Sequence, residues 1–182
     1  EATAAGVPVF VDSGAFSEVE FGPEPYTALE ITPEEWNKRL ALYRRLIERS
    51  PAPHLVHVVA PDKIADQTET LRRLRRYAPQ VRALRRAGGS ILVPLQKGAL
   101  SLSEFHQAAE RALGFRSWIP AIPMKKDATS PEDLGEYLAA RRPARVHLLG
   151  VGTRSPKAGQ IAAAILDNSP DTAVNMDSVL IR

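Results

Sequence analysis

Six short apolar runs, separated by stretches with helical periodicity, constrain this chain more than any other feature. They are residues 7–11, 55–60, 91–95, 117–123, 146–149 and 173–182, and each ends or breaks at a polar or small residue. Apolar runs of this length bounded by turn residues read as buried parallel strands. The last of them stops to present Asp177, with Asn175 just before it.

The intervening stretches carry helix punctuation. Thr32-Pro33-Glu34-Glu35 sets a threonine N-cap, a proline in the first turn and a glutamate closing a capping box. Trp36, Leu40, Tyr43 and Ile47 follow at helical spacing, and Ser50-Pro51-Ala52-Pro53 stops the helix. A second helix carries Ile64, Leu71, Leu74 and Tyr77, breaks near Pro79, and resumes until Gly88-Gly89. Ser101-Leu102-Ser103-Glu104 opens a third, ending at Gly114, and Ser130-Pro131-Glu132-Asp133 a fourth, to about Arg142. Ser155-Pro156 is expected to cap the fifth, while residues 18–31 read as a loop.

Strands alternating with helices at roughly 30-residue spacing force parallel strands joined by right-handed crossovers. Two architectures satisfy this, a (β/α) barrel and an open doubly wound sheet. An open sheet gathers its chemistry at one switch point, whereas a barrel collects it from many strand ends. Asp12, Asp62, Gln96, the 121–126 segment, Gly150, Gly152 and Asp177 all fall at strand C-termini. The expectation is therefore an α/β, TIM-type barrel in a single domain over 1–182. With six strands rather than eight, a first residue Glu1 and an end just after a strand, it reads as an incomplete barrel or fragment.

Composition narrows the chemistry. There is no cysteine, hence no disulfide framework and no thiolate metal site. His54, His57, His106 and His147 do not form an HxH or HxxxH pair, so no metal site is expected. No apolar run approaches the ~18 residues of a membrane span and no signal peptide is visible, which points to the cytoplasm. A net charge of +3 permits an acidic partner.

Asp12 and Asp177 are the first and last strand-end carboxylates. In a nearly closed barrel both can reach one mouth, and paired carboxylates suit chemistry at a sugar carbon, one attacking and one handling protons. The competing reading is that each caps a turn or helix. Asp62 has the strongest capping alternative, since Lys63-Ile64-Ala65 reads as a helix start. Gln96, before Lys97-Gly98, either reads a heterocycle edge through its amide or sits in a surface turn. Gly150-Val151-Gly152 allows close backbone approach to a ligand, or is simply a tight turn.

Lys97, Lys125, Lys126 and Arg154 follow strand ends and are placed for phosphate contacts. The arginines of residues 72–86 (Arg72, Arg73, Arg75, Arg76, Arg82, Arg85, Arg86) read instead as a solvated face whose cations complement the helix dipole. His57 reads as a core histidine. Trp118 and Phe16 read as core or pocket wall, Phe16 within reach of a base to stack upon.

Together these strand ends resemble the tRNA-guanine transglycosylase superfamily, whose members exchange a guanine in nucleic acid for a deazaguanine within a (β/α) barrel. Asp12-Ser13-Gly14-Ala15-Phe16 is similar to the family's Asp-Ser-Gly-Gly-Phe, and Gln96-Lys97-Gly98 to its Gln-Gly-Gly turn. Leu148-Leu149-Gly150-Val151-Gly152 resembles Leu-Met-Gly-Val-Gly, and Met176-Asp177-Ser178-Val179-Leu180 resembles Phe-Asp-Cys-Val-Leu. The resemblance implies Asp177 as nucleophile, Asp12 as general acid/base, and Asp62, Gln96, Phe16, Gly150 and Gly152 around the base. Residues 119–123 stand in the place of the family's Gly-Gly-Leu segment, so Ala121 and Ile122 are implied to contact the base through their backbone. Two departures stand out: Ser17 replaces a glutamine, and Ala121-Ile122-Pro123 replaces Gly-Gly-Leu.

The family's zinc site of three cysteines and a histidine has no counterpart, so no cofactor is implied for these residues. The implied partners are a 7-deazaguanine base and either tRNA or DNA, with a homodimer or partner subunit possible; the Asp-Ser-Gly-Ala-Phe-Ser form is most similar to the DNA-modifying branch. Two other classes compete: a non-catalytic relative that binds nucleic acid or supports an active subunit, and an unrelated barrel enzyme acting on a phosphorylated sugar through Gly150-Val151-Gly152.

Overall fold

The structure is a computed structural model that describes residues 1–18, 30–125, 128–152 and 154–176. Six strands alternate with five helices. They run β1 (Val9–Val11), α1 (Pro33–Arg49), β2 (Val56–Val59), α2 (Gln67–Arg86), β3 (Ser90–Pro94), α3 (Leu102–Leu113), β4 (Ile119–Pro123), α4 (Pro131–Arg141), β5 (Arg145–Leu149), α5 (Ala158–Asn168) and β6 (Ala173–Met176). All five strand pairs are parallel, and the spatial order is the chain order, β1-β2-β3-β4-β5-β6. Among the described residues the strand order never reverses, so they form no switch point of the doubly wound kind.

Each helix packs on the next, α1 on α2 through to α4 on α5, which makes them a single layer over one face of the sheet. The other face curls inward. Phe10 of β1 stacks on His57 of the neighbouring β2 at 4.6 Å, and also on His147 of β5 at 4.9 Å. Four inter-strand intervals of ~4.8 Å would hold β1 and β5 roughly 19 Å apart in a flat sheet. Only a strongly curved sheet lets one ring touch both. The fold is a curled α/β half-barrel, consistent with an incomplete TIM-type barrel.

Period-two alternation divides the apolar side chains between two cores. Val56, Val58, Ile91, Val93, Ile122, Val146 and Leu148 face the helices and join Trp36, Leu74 and Phe105 in the larger one. Val59, Leu92 and Ala121, with Ile119 and Leu149 against them, fill the concave side.

Three helices begin as their sequences dictate: Thr32, Ser101 and Ser130 each close a reciprocal capping box. Two begin elsewhere. The second helix starts at Gln67 rather than Lys63, because Asp66 is its cap, its carboxylate accepting the Glu69 N–H at 2.8 Å. It also runs unbroken through Pro79, held by the buried stripe Leu74, Tyr77, Val81 and Leu84. The fifth starts at Ala158 without a side-chain cap, and Ser155 accepts the Lys157 N–H within the preceding turn instead.

Candidate active site

The strand C-termini form one mouth, and β1 contributes Asp12-Ser13-Gly14 to it. Two carbonyls of that turn are tied to α1: Tyr43 Oη donates to the Asp12 carbonyl at 2.7 Å, and Arg39 Nη1 donates to that of Ser13. Gly14 takes φ +73°, and a Cβ there would run into Arg39, so both backbone and space call for glycine. The Asp12 carboxylate accepts its neighbour's Ser13 N–H at 2.8 Å and is otherwise exposed at the mouth.

Beside it, at the end of β2, Asp62 is only 4% exposed. Gln96, from the end of β3, donates to Asp62 Oδ2 at 3.0 Å and accepts the Ala65 N–H at 3.0 Å. Ala65 adopts φ +58°, a left-handed conformation unusual for alanine, and the bond to Gln96 anchors it there. Asp62 Oδ1 is buried with no hydrogen-bond partner among the described residues. Burial, reinforced by the negative charges of Asp12 and Glu18, pushes the Asp62 carboxyl up to about 7, against the opposing pull of Ser13 and Arg73.

This pair rests on a buried ionic clamp that sequence reasoning missed. Arg73 donates to the Asp62 carbonyl at 2.6 Å, grips Glu18 with both terminal nitrogens (2.7 and 2.9 Å), and bonds Glu69 through Nε at 2.8 Å. It is 3% exposed, so the expectation of a solvated arginine face fails at this residue. Glu18 also accepts the Ile31 N–H at 2.8 Å. Burial alone would raise the Glu18 carboxyl, but the Arg73 bonds and the Ile31 N–H bring it below its ordinary value. Elsewhere on α2, Arg82 donates to the Leu113 carbonyl and Arg85 to that of Ser117. Gln67 likewise went unread: its amide bonds the Gln96 carbonyl and both backbone groups of Leu100, shaping the turn after β3.

Across the mouth, the Lys125 ammonium lies 4.9 Å from the centre of the half-exposed Phe16 ring, a cation–π contact between the loops after β1 and β4. Gly150 takes φ +69°, and a Cβ there would sit 3.1 Å from the Lys125 side chain. Its glycine is therefore accounted for by the backbone and this lysine. Gly152 accepts the Ser155 N–H at 2.9 Å, and Arg154 is exposed beside it. Lys97 leans toward α4 and pairs with Asp133 at 3.3 Å.

Ala121 and Ile122 are fully buried: the Ala121 carbonyl accepts the Leu95 N–H, and the Ile122 side chain faces the helices. His57 is a buried ring inside the barrel against Phe10, its basicity lowered by burial and then by Arg145. Asp177 and Lys126 lie outside the described residues; β6 reaches Met176, paired with Leu148, immediately before Asp177 in the chain.

The mouth thus brings Asp12, Asp62 and Gln96 into one cluster and Phe16, Lys125 and Gly150 into another. Among the described residues, no group of three or more His, Cys, Asp or Glu is placed to hold a metal ion. No helix among them is long and apolar enough to cross a membrane. Fold and site define an α/β half-barrel with carboxylates at its strand C-termini. No family model matches the chain, and no curated protein or solved structure matches it.

Proposed function

We propose that this chain is a guanine transglycosylase acting on nucleic acid, exchanging guanine for a 7-deazaguanine through a covalent Asp177–sugar intermediate. The observation that carries this reading is the Asp62–Gln96 pair: a buried carboxyl whose Oδ1 makes no hydrogen bond within 3.5 Å among the described residues, held beside a primary amide. The guanine edge presents N1–H and N2–H donors next to the O6 acceptor. Asp62 Oδ1 suits the donors, and the second N–H of Gln96 suits O6. Phe16 offers a face for stacking, and Lys125 and Arg154 offer cations for phosphates.

The chemistry follows in two displacements. The target nucleotide is flipped into the mouth at a cost of a few kcal/mol. An Asp177 carboxylate oxygen attacks C1′, the C1′–N9 bond breaks, and guanine leaves with a proton supplied at N9 by Asp12. The incoming base attacks C1′ through its N9, Asp177 is released, and the N9 proton passes to Asp12. Two inversions retain configuration at the sugar.

The reading is tested by titrating guanine calorimetrically across neutral pH. The donor edge needs an ionised acceptor, so affinity is expected to weaken as pH falls below about 7 and Asp62 takes up its proton. Asp62→Asn should weaken guanine by roughly 10–100-fold, the loss of hydrogen bonds to a charged group. Affinity that is independent of pH and unchanged in Asp62→Asn would refute the base-reading role.

A further inference from the structure

The pole opposite the mouth carries a second constellation, built from different residues. Two adjoining hollows lie there, one of about 410 Å³ between the ends of α3 and α4 and the starts of β4 and β5, the other of about 490 Å³ along the end of α3 and residues 114–116. They share Glu110 and Arg116; Arg141 and Arg145 line one and Arg111 the other. Arg116 and Arg141 thus approach one carboxylate, with Arg111 in the adjoining wall, in a chain whose net charge is only +3.

That carboxylate does not satisfy them. Glu110 Oε1 lies 3.4 Å from His106 Nε2, 3.5 Å from Arg141 and 3.9 Å from Arg116, all longer than a well-formed charged hydrogen bond. His106 adds no charge of its own. Its Nδ1 is paired with Tyr137 Oη at 2.8 Å, its ring packs on Trp118 at 4.3 Å, and burial together with the Arg141 charge pushes it down to about 4. The Leu113 carbonyl at the end of α3 is taken by Arg82 from α2 rather than by one of these arginines. The side chain of Arg116 is 86% exposed.

We propose that this arginine-lined pair of hollows binds the phosphodiester backbone of a nucleic acid. The excess of cations over the single carboxylate calls for a polyanion. Fork-shaped guanidinium donors match phosphate oxygens in pairs. The run of two hollows, rather than one pit, fits successive phosphates along a strand, and Phe115 in the wall gives sugar and base an apolar surface. The site shares no residue with the mouth and does not depend on base exchange taking place there.

The test is fluorescence-anisotropy titration of a labelled single-stranded DNA of about 20 nucleotides, over about 50 to 200 mM salt. Three proteins are compared: the unmodified chain, Arg116→Gln/Arg141→Gln, and the mouth variant Lys97→Gln/Arg154→Gln, each with its fold verified by circular dichroism. The pole variant should bind more weakly, with a log–log salt slope shallower by about 1.4, two contacts at about 0.7 each. If that variant fails to fold, Arg111→Glu on the exposed surface of α3 should also weaken binding and flatten the slope. Affinity and slope unchanged in the pole variants, with losses confined to the mouth variant, would overturn the assignment. So would displacement of the DNA by an equal charge of polyglutamate, which would mark the pole as a dock for acidic protein.

Discussion

At neutral pH the Asp62 carboxyl stands near the middle of its titration, because burial and two neighbouring acids oppose its ionisation. An unfolded chain would release that proton near pH 4. Between the two values the folded state holds more protons, so this residue's contribution is fully favourable below about pH 4 and is lost as pH rises through 7. Asp62→Asn should therefore raise stability at about pH 8 by on the order of 1–3 kcal/mol and change it less near pH 4. Urea unfolding at the two pH values measures this; a variant less stable than the parent at pH 8 would contradict it. Stability given up at a carboxylate is the usual mark of a site kept for binding. Asp62 was legible in the sequence, but with capping as a rival, which the pattern Asp66-Gln67-Thr68-Glu69 could have removed because it is a better N-terminal signature. Glu18 was not legible: nothing local announces that a residue beside a loop will be buried against a helix 55 positions later.

Among the elements, α2 differs most from its reading. Its arginines are not one solvated face. Arg73 sits four residues before Tyr77 and eight before Val81, on the buried stripe itself, and that spacing was available in the sequence. What the spacing lacks is the partner. Removing either Arg73 or Glu18 strands a buried charge and should cost about 3–5 kcal/mol. Replacing both, as Arg73→Met with Glu18→Leu, should cost clearly less than the sum of the two single changes. A double-mutant cycle by urea unfolding checks this, and strictly additive losses would show that the pair does not act as a unit. The capping boxes at Thr32, Ser101 and Ser130 were legible because their partners lie three residues away; the clamp was not, because its partners come from three separate parts of the chain.

On the scale of the whole molecule, strand order turns a list of strand-end residues into a site. Sequential parallel pairing with all helices in one layer sends every strand C-terminus to the same mouth, and the distribution of chemistry over many strand ends already indicated this. The degree of curl was not readable, because it depends on Phe10 meeting both His57 and His147 across the concave face. The same geometry gives the two poles different charged sets, Asp12, Asp62, Lys97 and Lys125 at the mouth and Arg116 and Arg141 around Glu110 at the other. The central claim concerns the mouth: Asp177 attacks a nucleotide sugar while Asp12 manages the proton. Intact mass spectrometry of the protein incubated with guanine-containing DNA and tRNA oligonucleotides tests it most directly. The account predicts a covalent adduct that survives denaturation, is reversed by added guanine, and is absent in Asp177→Asn; an adduct that persists in that variant, or none with either polymer in the unmodified chain, would contradict it.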